Sequence, residues 1–173
     1  MILIGMGAKL NSLWGSPPQS MARALEKIRQ SGIRIISQSP LVTSEALGGG
    51  GQKKYHNAVI EIASHLPPEA LLKRLHAIER MAGRRRSVRW RSRGLDLDIL
   101  DWNGVIRGRV FEGGRGGGYL PLVLPHPGIA SRPFVLLPLS HIAPRWHHPR
   151  TGLGALQMLR VLPATAQGKI LSR

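Results

Sequence analysis

The stretch Arg89 to Leu100, RWRSRGLDLDIL, places two carboxylates, Asp96 and Asp98, directly behind the densest run of arginine in the chain. The chain has only three aspartates, Asp96, Asp98 and Asp101, all within six residues, against 25 Lys+Arg and 9 Asp+Glu. On a strand, residues two apart point the same way, so Asp96 and Asp98 would leave one face about 6.6 Å apart while Leu95, Leu97 and Ile99 face a core. Two carboxylates so placed suit a hard cation. Magnesium takes oxygen ligands, keeps several waters, and is commonly held by one or two carboxylates plus substrate phosphates. Alone, Asp-x-Asp is more often a solvated face or a charge that discourages edge pairing.

The arginines shift that balance. Arg84, Arg85, Arg86, Arg89, Arg91 and Arg93 fill six of ten consecutive positions. A segment so charged repels itself unless an anion joins it, and guanidinium forks match phosphate oxygens two at a time. A merely solvated or RNA-binding loop is the competing reading. Tyr55 and Asn57 form a second same-face pair; an aromatic ring and a carboxamide are what a flat heterocycle requires, one to stack and one to read an edge. An edge-strand Tyr beside a turn-proximal Asn would look the same. His126 and Arg132, in the Pro-rich stretch LPHPGIASRPF, could both contact phosphate from one ordered loop, although a lone His is more often structural. Phe134 could be core, and His147 and His148 read as surface.

The chain that must position these residues is 173 residues long, enough for one domain with a hydrophobic core, here taken as 1–173. Without cysteine it has no disulfides and no thiolate metal site, which suits the cytoplasm. No apolar run approaches the roughly 18 residues of a membrane span, so a membrane partner is not expected. A net charge of +16 draws polyanions of any kind, nucleic acid included.

ILIGMGAKL reads as a strand entering a tight turn. SPPQSMARALEKIRQSG is a helix with prolines in its first turn and Gly32 at its end. IRIISQSPLVTSEAL alternates and is β-branched, a strand; Gly48 to Gly51 read as a mobile loop; YHNAVIEIAS is another strand. PPEALLKRLHAIERMAG carries Leu71, Leu72, Leu75, Ile78 and Met81 on one stripe and ends at Gly83, a helix. GLDLDILDW closes the series. The order β-α-β-β-α-β predicts an α+β, ferredoxin-like core: an antiparallel sheet with both helices on one face. An irregular C-terminal extension follows, with a short helix near FVLLPL, a last helix around GALQMLRVL and a basic tail.

These motifs in this order resemble the 6-hydroxymethyl-7,8-dihydropterin pyrophosphokinases of folate biosynthesis. IGMGAKL resembles their Gly-Ser-Asn-Leu turn, YHNAVIEI their Tyr/Phe-x-Asn strand, and HAIERMAGR their Ile-Glu-x-x-x-Gly-Arg helix end. The two most specific matches are RWRSRGLDLDIL, to Arg-Trp-x-x-Arg-Thr-Leu-Asp-Leu-Asp-Ile, and LPHPGIASRPFVLLPLSHIAP, to a Pro-His-Pro stretch ending in Ile-Ala-Pro. The resemblance implies transfer of the β,γ-diphosphate of ATP to the pterin hydroxymethyl oxygen with release of AMP. It also implies two Mg²⁺ ions on Asp96 and Asp98, and pterin bound by Thr43, Tyr55, Asn57 and Phe134. ATP would be contacted by Glu79, Arg84, Trp90, Arg93, His126 and Arg132, with Arg84 and Arg93 also counted as catalytic. No residue stands out as an obligatory base, as expected where positioning and charge neutralisation supply most of the rate.

Several positions depart from the family pattern. Gly94 stands in place of Thr, Ala8 and Lys9 in place of Ser-Asn, Gly48 to Gly51 in place of a Pro-containing stretch, and FEGGRGGGYL has no counterpart. An RNA-binding module on the same sheet would need several exposed aromatics, yet only 5% of residues are aromatic, and the two carboxylates would repel a phosphate backbone. Nucleic acid is expected only as nonspecific binding at low salt. A catalytically dead relative would bind Mg-ATP without forming AMP. The expected partners are ATP and the pterin, with the chain a monomer.

Overall fold

The structure is a computed structural model that describes residues 1–44, 54–83, 94–108, 122–163 and 170–172. In chain order the elements are β1 (Ile2–Ala8), α1 (Pro17–Gln30), β2 (Arg34–Gln38), β3 (Val42–Ser44), β4 (Tyr55–Ala63), α2 (Pro68–Met81), β5 (Asp96–Trp102), α3 (Pro133–Ile142), α4 (Ala155–Val161) and β6 (Ile170–Ser172). The strands order as β5-β1-β4-β3-β6 with β2 also on β4, and all their pairings are antiparallel. This is the expected α+β architecture.

Alternation explains the layers. Ile2, Ile4, Met6 and Ala8 of β1, Ala58, Ile60 and Ile62 of β4, and Leu97 and Ile99 of β5 enter one core together with Met21, Ala24, Leu25 and Ile28 of α1 and Leu71, Leu75 and Ile78 of α2. Both crossover helices therefore cover one face. Leu3, Val59 and Leu100 point the other way and pack under α3 and α4 with Leu136, Leu139, Trp146 and Met158. The C-terminal part is thus a second layer on the same sheet.

Two expectations need correcting. The single strand expected from Ile33 onward is two, β2 and β3, broken at Ser39-Pro40. Proline has no N–H to give a ladder, and Ser39 closes the gap by accepting from Val59 N through its hydroxyl at 3.0 Å and donating its own N–H to Val59 O at 2.9 Å. The basic tail includes β6, which pairs with β3; three residues are too few to show a period. The short helix expected near FVLLPL is α3, ten residues long with Pro138 inside it. The expectations for Gly48 to Gly51 and for the glycine-rich stretch 111–120 lie outside the described residues.

Candidate active site

Odd-numbered residues of β1 face α3, and after Leu3 they are Gly5 and Gly7. Gly5 pairs with Asp98 and Val59, and Gly7 pairs with Asp96 and Asn57. A Cβ at Gly5 would lie 3.1 Å from the Leu100 side chain, so that gap is filled. Among the described residues, a Cβ at Gly7 would have only Asn57 Oδ1 nearby, at 3.6 Å. Gly7 thus forms an open strip of sheet flanked by a carboxylate on β5 and a carboxamide on β4.

Asp96 and Asp98 leave β5 on this face, both part-exposed, with Leu95, Leu97 and Ile99 buried behind them, as the alternation predicted. Asp101 does not join them. A bulge opposite Leu3 and Ile4 breaks the alternation, so Asp101, 2% exposed, accepts from Trp146 Nε1 at 2.7 Å and Gly104 N at 3.1 Å. The third aspartate is an anchor between β5 and the C-terminal layer.

The Pro-rich loop is tied down at the same bulge, His126 N donating to Leu100 O at 2.8 Å. His126 Nδ1 accepts from Gly128 N at 2.9 Å, which leaves the proton of the neutral ring on Nε2, 3.9 Å from Asp98 Oδ2. Burial and then the nearby Arg132 guanidinium lower the His126 pKa to about 4, with Asp96 opposing them, so the ring is neutral at pH 7. Arg132 lies against Gly128, where a Cβ would fall 2.6 Å from its Cζ. The loop therefore brings an N–H donor to Asp98, with the Arg132 cation close enough to act on the His126 ring.

At the other side of the strip, Asn57 is 6% exposed and donates Nδ2 to Ser44 Oγ at 3.0 Å. That bond fixes the amide so that Oδ1 is the atom nearest Gly7. Tyr55 leaves β4 on the same face as Asn57 and is half-buried. Phe134, in the first turn of α3, is half-buried against the second core and on the same side of the sheet.

Two expected residues are placed differently from these. Thr43 pairs with His56, so its side chain alternates with those of Val42 and Ser44 and leaves the opposite face. Ser44, which the sequence did not single out, is the β3 side chain that touches Asn57. Glu79 is 0% exposed and accepts from Leu97 N at 2.8 Å, taking up a backbone donor between the two aspartates. Arg84, Trp90 and Arg93 lie outside the described residues. His148, expected at the surface, is 6% exposed and stands edge-on to Trp146 at 5.8 Å; only His147 is exposed.

The donor set fits Mg²⁺. Among the described residues no group of three His, Asp or Glu side chains converges, which leaves two carboxylates whose remaining ligand positions would fall to water and phosphate. No helix of the described residues is long and apolar enough to cross a membrane.

Residues 3–144 match the family model described as 7,8-dihydro-6-hydroxymethylpterin-pyrophosphokinase. A 2-amino-4-hydroxy-6-hydroxymethyldihydropteridine pyrophosphokinase of Synechocystis is 33% identical over 95% of this chain and 77% of its own length. Its Haemophilus influenzae counterpart is 36% identical over 81% and 79%. The chain is also 33% identical to a segment making up 19% of the folic acid synthesis protein fol1 of Pneumocystis carinii, over 88% of the present chain.

Proposed function

The chain belongs to the 7,8-dihydro-6-hydroxymethylpterin-pyrophosphokinase family and is a pyrophosphokinase of folate synthesis; from that premise we propose that it moves the β,γ-diphosphate of ATP to the hydroxymethyl oxygen of 6-hydroxymethyl-7,8-dihydropterin. A bond forms from that oxygen to the β-phosphorus, and the bond from the β-phosphorus to the bridging oxygen breaks. AMP leaves with that oxygen, and the hydroxyl proton passes to solvent. The observation that carries the reading is the open strip over Gly7, with Asp96 on one side and Asn57 on the other.

Asp96 and Asp98 would hold two Mg²⁺ ions, which when bound supply neutralisation of the phosphate charge. Tyr55 and Phe134 would take the faces of the pterin, and Asn57, already fixed by Ser44, would read its edge with Oδ1. Thr43 would contribute backbone. His126 would donate Nε2–H to a phosphate oxygen, and Arg132, with Arg84 and Arg93, would match the triphosphate bidentately. Trp90 would also lie at the nucleotide. Glu79 would act by holding β5 in register through Leu97, so that both carboxylates keep their places. The reading takes residues 1–173 as one catalytic domain, monomeric and cytoplasmic.

The test is AMP formation from Mg-ATP with and without the pterin, beside Asp96→Ala. Pterin-dependent AMP that disappears in the variant supports the reaction and the metal site together. A folded protein that binds Mg-ATP but yields no AMP in the presence of pterin overturns the reading.

A further inference from the structure

Two residues beyond Gly7, the same face of the β1 line carries Lys9, one of the chain's departures from the family's Ser-Asn turn. Ala8, the last residue of β1, pairs with His56, and Lys9 follows it directly. Its Nζ stands 5.0 Å from the Tyr55 ring centroid, and the residue is only 8% exposed. An ammonium is strongly hydrated, and burying one is costly unless anions or ring faces replace the water. Here the Tyr55 ring faces the ammonium itself, beside the proposed pterin site.

The charges around the strip show what such a cation could meet. Asp96 and Asp98 are carboxylates, and His126 Nε2 stands 3.9 Å from Asp98 Oδ2. Arg132 approaches from the β5 side, whereas Lys9 stands on the β4 side of the same floor. A triphosphate laid across the carboxylates carries negative charge along its whole length, and divalent cations held by Asp96 and Asp98 neutralise only part of the total. A second fixed positive charge at the far end is complementary to that layout.

Resting on the proposed diphosphate transfer, we propose that Lys9 is a substrate-contacting cation that binds the β,γ-diphosphate as it passes from ATP to the pterin. It stands where the family motif has Asn, and the Tyr55 ring, 5.0 Å from Nζ, holds the ammonium in place before substrate arrives.

The experiment uses Lys9→Met, which keeps an unbranched stem over Tyr55 and removes the charge. Calorimetry with Mg²⁺ compares a methylene-bridged ATP analogue, AMP and the pterin. The expected result is about ten- to hundredfold weaker binding of the analogue, the size of a lost charge-assisted hydrogen bond, with AMP and pterin affinities within about threefold. AMP production should fall in parallel. Equal losses for AMP and the analogue, or no loss for either, overturn the proposal. A loss confined to pterin also overturns it and leaves Lys9 as a prop for the Tyr55 ring. Lys9→Asn, the residue type of the family turn, gives the same reading if the Met variant does not fold. Wild-type protein that forms no AMP at all would sink the proposed reaction instead, whatever Lys9 binds.

Discussion

The two faces of the sheet are built from the same strands by the same alternation, yet they differ in kind. Toward α1 and α2, β1 presents Ile2, Ile4, Met6 and Ala8, an unbroken apolar row. Toward α3 it presents Leu3, then Gly5 and Gly7, then Lys9. Half of that second face is core, and half is a polar floor. Two aspartates on an edge strand and a nearly buried lysine are charges that cost desolvation, whereas the β1 row on the other face carries none. One face stabilises the molecule, and the other uses that stability.

The largest expected contrast comes from one substitution on each face. Asp98→Ala should lower AMP formation by about a thousandfold or more, the scale on which charge stabilisation acts in such transfers, while leaving the melting temperature unchanged or slightly raised. Leu75→Ala, in the closed core at 0% exposure, should cost about 2–5 kcal/mol of stability in urea titration while the folded fraction keeps its turnover. If Asp98→Ala unfolds the protein, or if Leu75→Ala abolishes turnover in folded protein, the division between the faces is wrong.

A smaller effect should follow from filling the floor. Gly7→Val adds branches where, among the described residues, only Asn57 Oδ1 stands within 4 Å, at a position without positive φ, so the strand should form normally. The expected result is a ten- to hundredfold rise in KM for pterin, on the order of a lost snug contact, with little change in melting temperature. An unchanged KM would mean that the strip over Gly7 is not where the ring lies.

The smallest effect concerns the C-terminal layer. His148 has its pKa lowered, by burial first, with Arg150 adding to the shift and Asp101 opposing it. The unfolded chain binds a proton near pH 6.5 that the folded chain resists, so stability is unaffected above that pH and declines as pH falls below it. His148→Asn keeps an acceptor for Arg150 N and removes the titration. Its melting temperature should fall less steeply than the wild type's between pH 7 and pH 5, and an identical slope would show that His148 does not contribute.

Much of this was legible in the residues themselves. The stripe of Leu71, Leu75 and Ile78 on α2, the alternation of β1, β4 and β5, and the glycines ending the helices are local, and local geometry follows from local sequence; Met81, read on the same stripe, is exposed at the helix end. So are the common faces of Asp96 with Asp98 and of Tyr55 with Asn57, because both pairs sit two apart on one strand. Asp101 was not legible in this way, since the bulge that turns it to Trp146 depends on a residue 98 positions away on β1. Thr43 and Ser44 could not be told apart without the β3–β4 register, and a one-residue shift there exchanges which hydroxyl meets Asn57. The burial of Glu79 and His148 likewise came from their neighbours rather than from their neighbourhoods in sequence.

By itself, then, the sequence determined the elements, their order, and the chemical types brought to the site, because periodicity and motif are properties of short segments. Only the tertiary structure decided which of those groups meet over Gly7. It turned Glu79 to the β5 backbone, buried Asp101 and set Lys9 over Tyr55, because register, bulges and layer packing join residues whose separation along the chain carries no local signal.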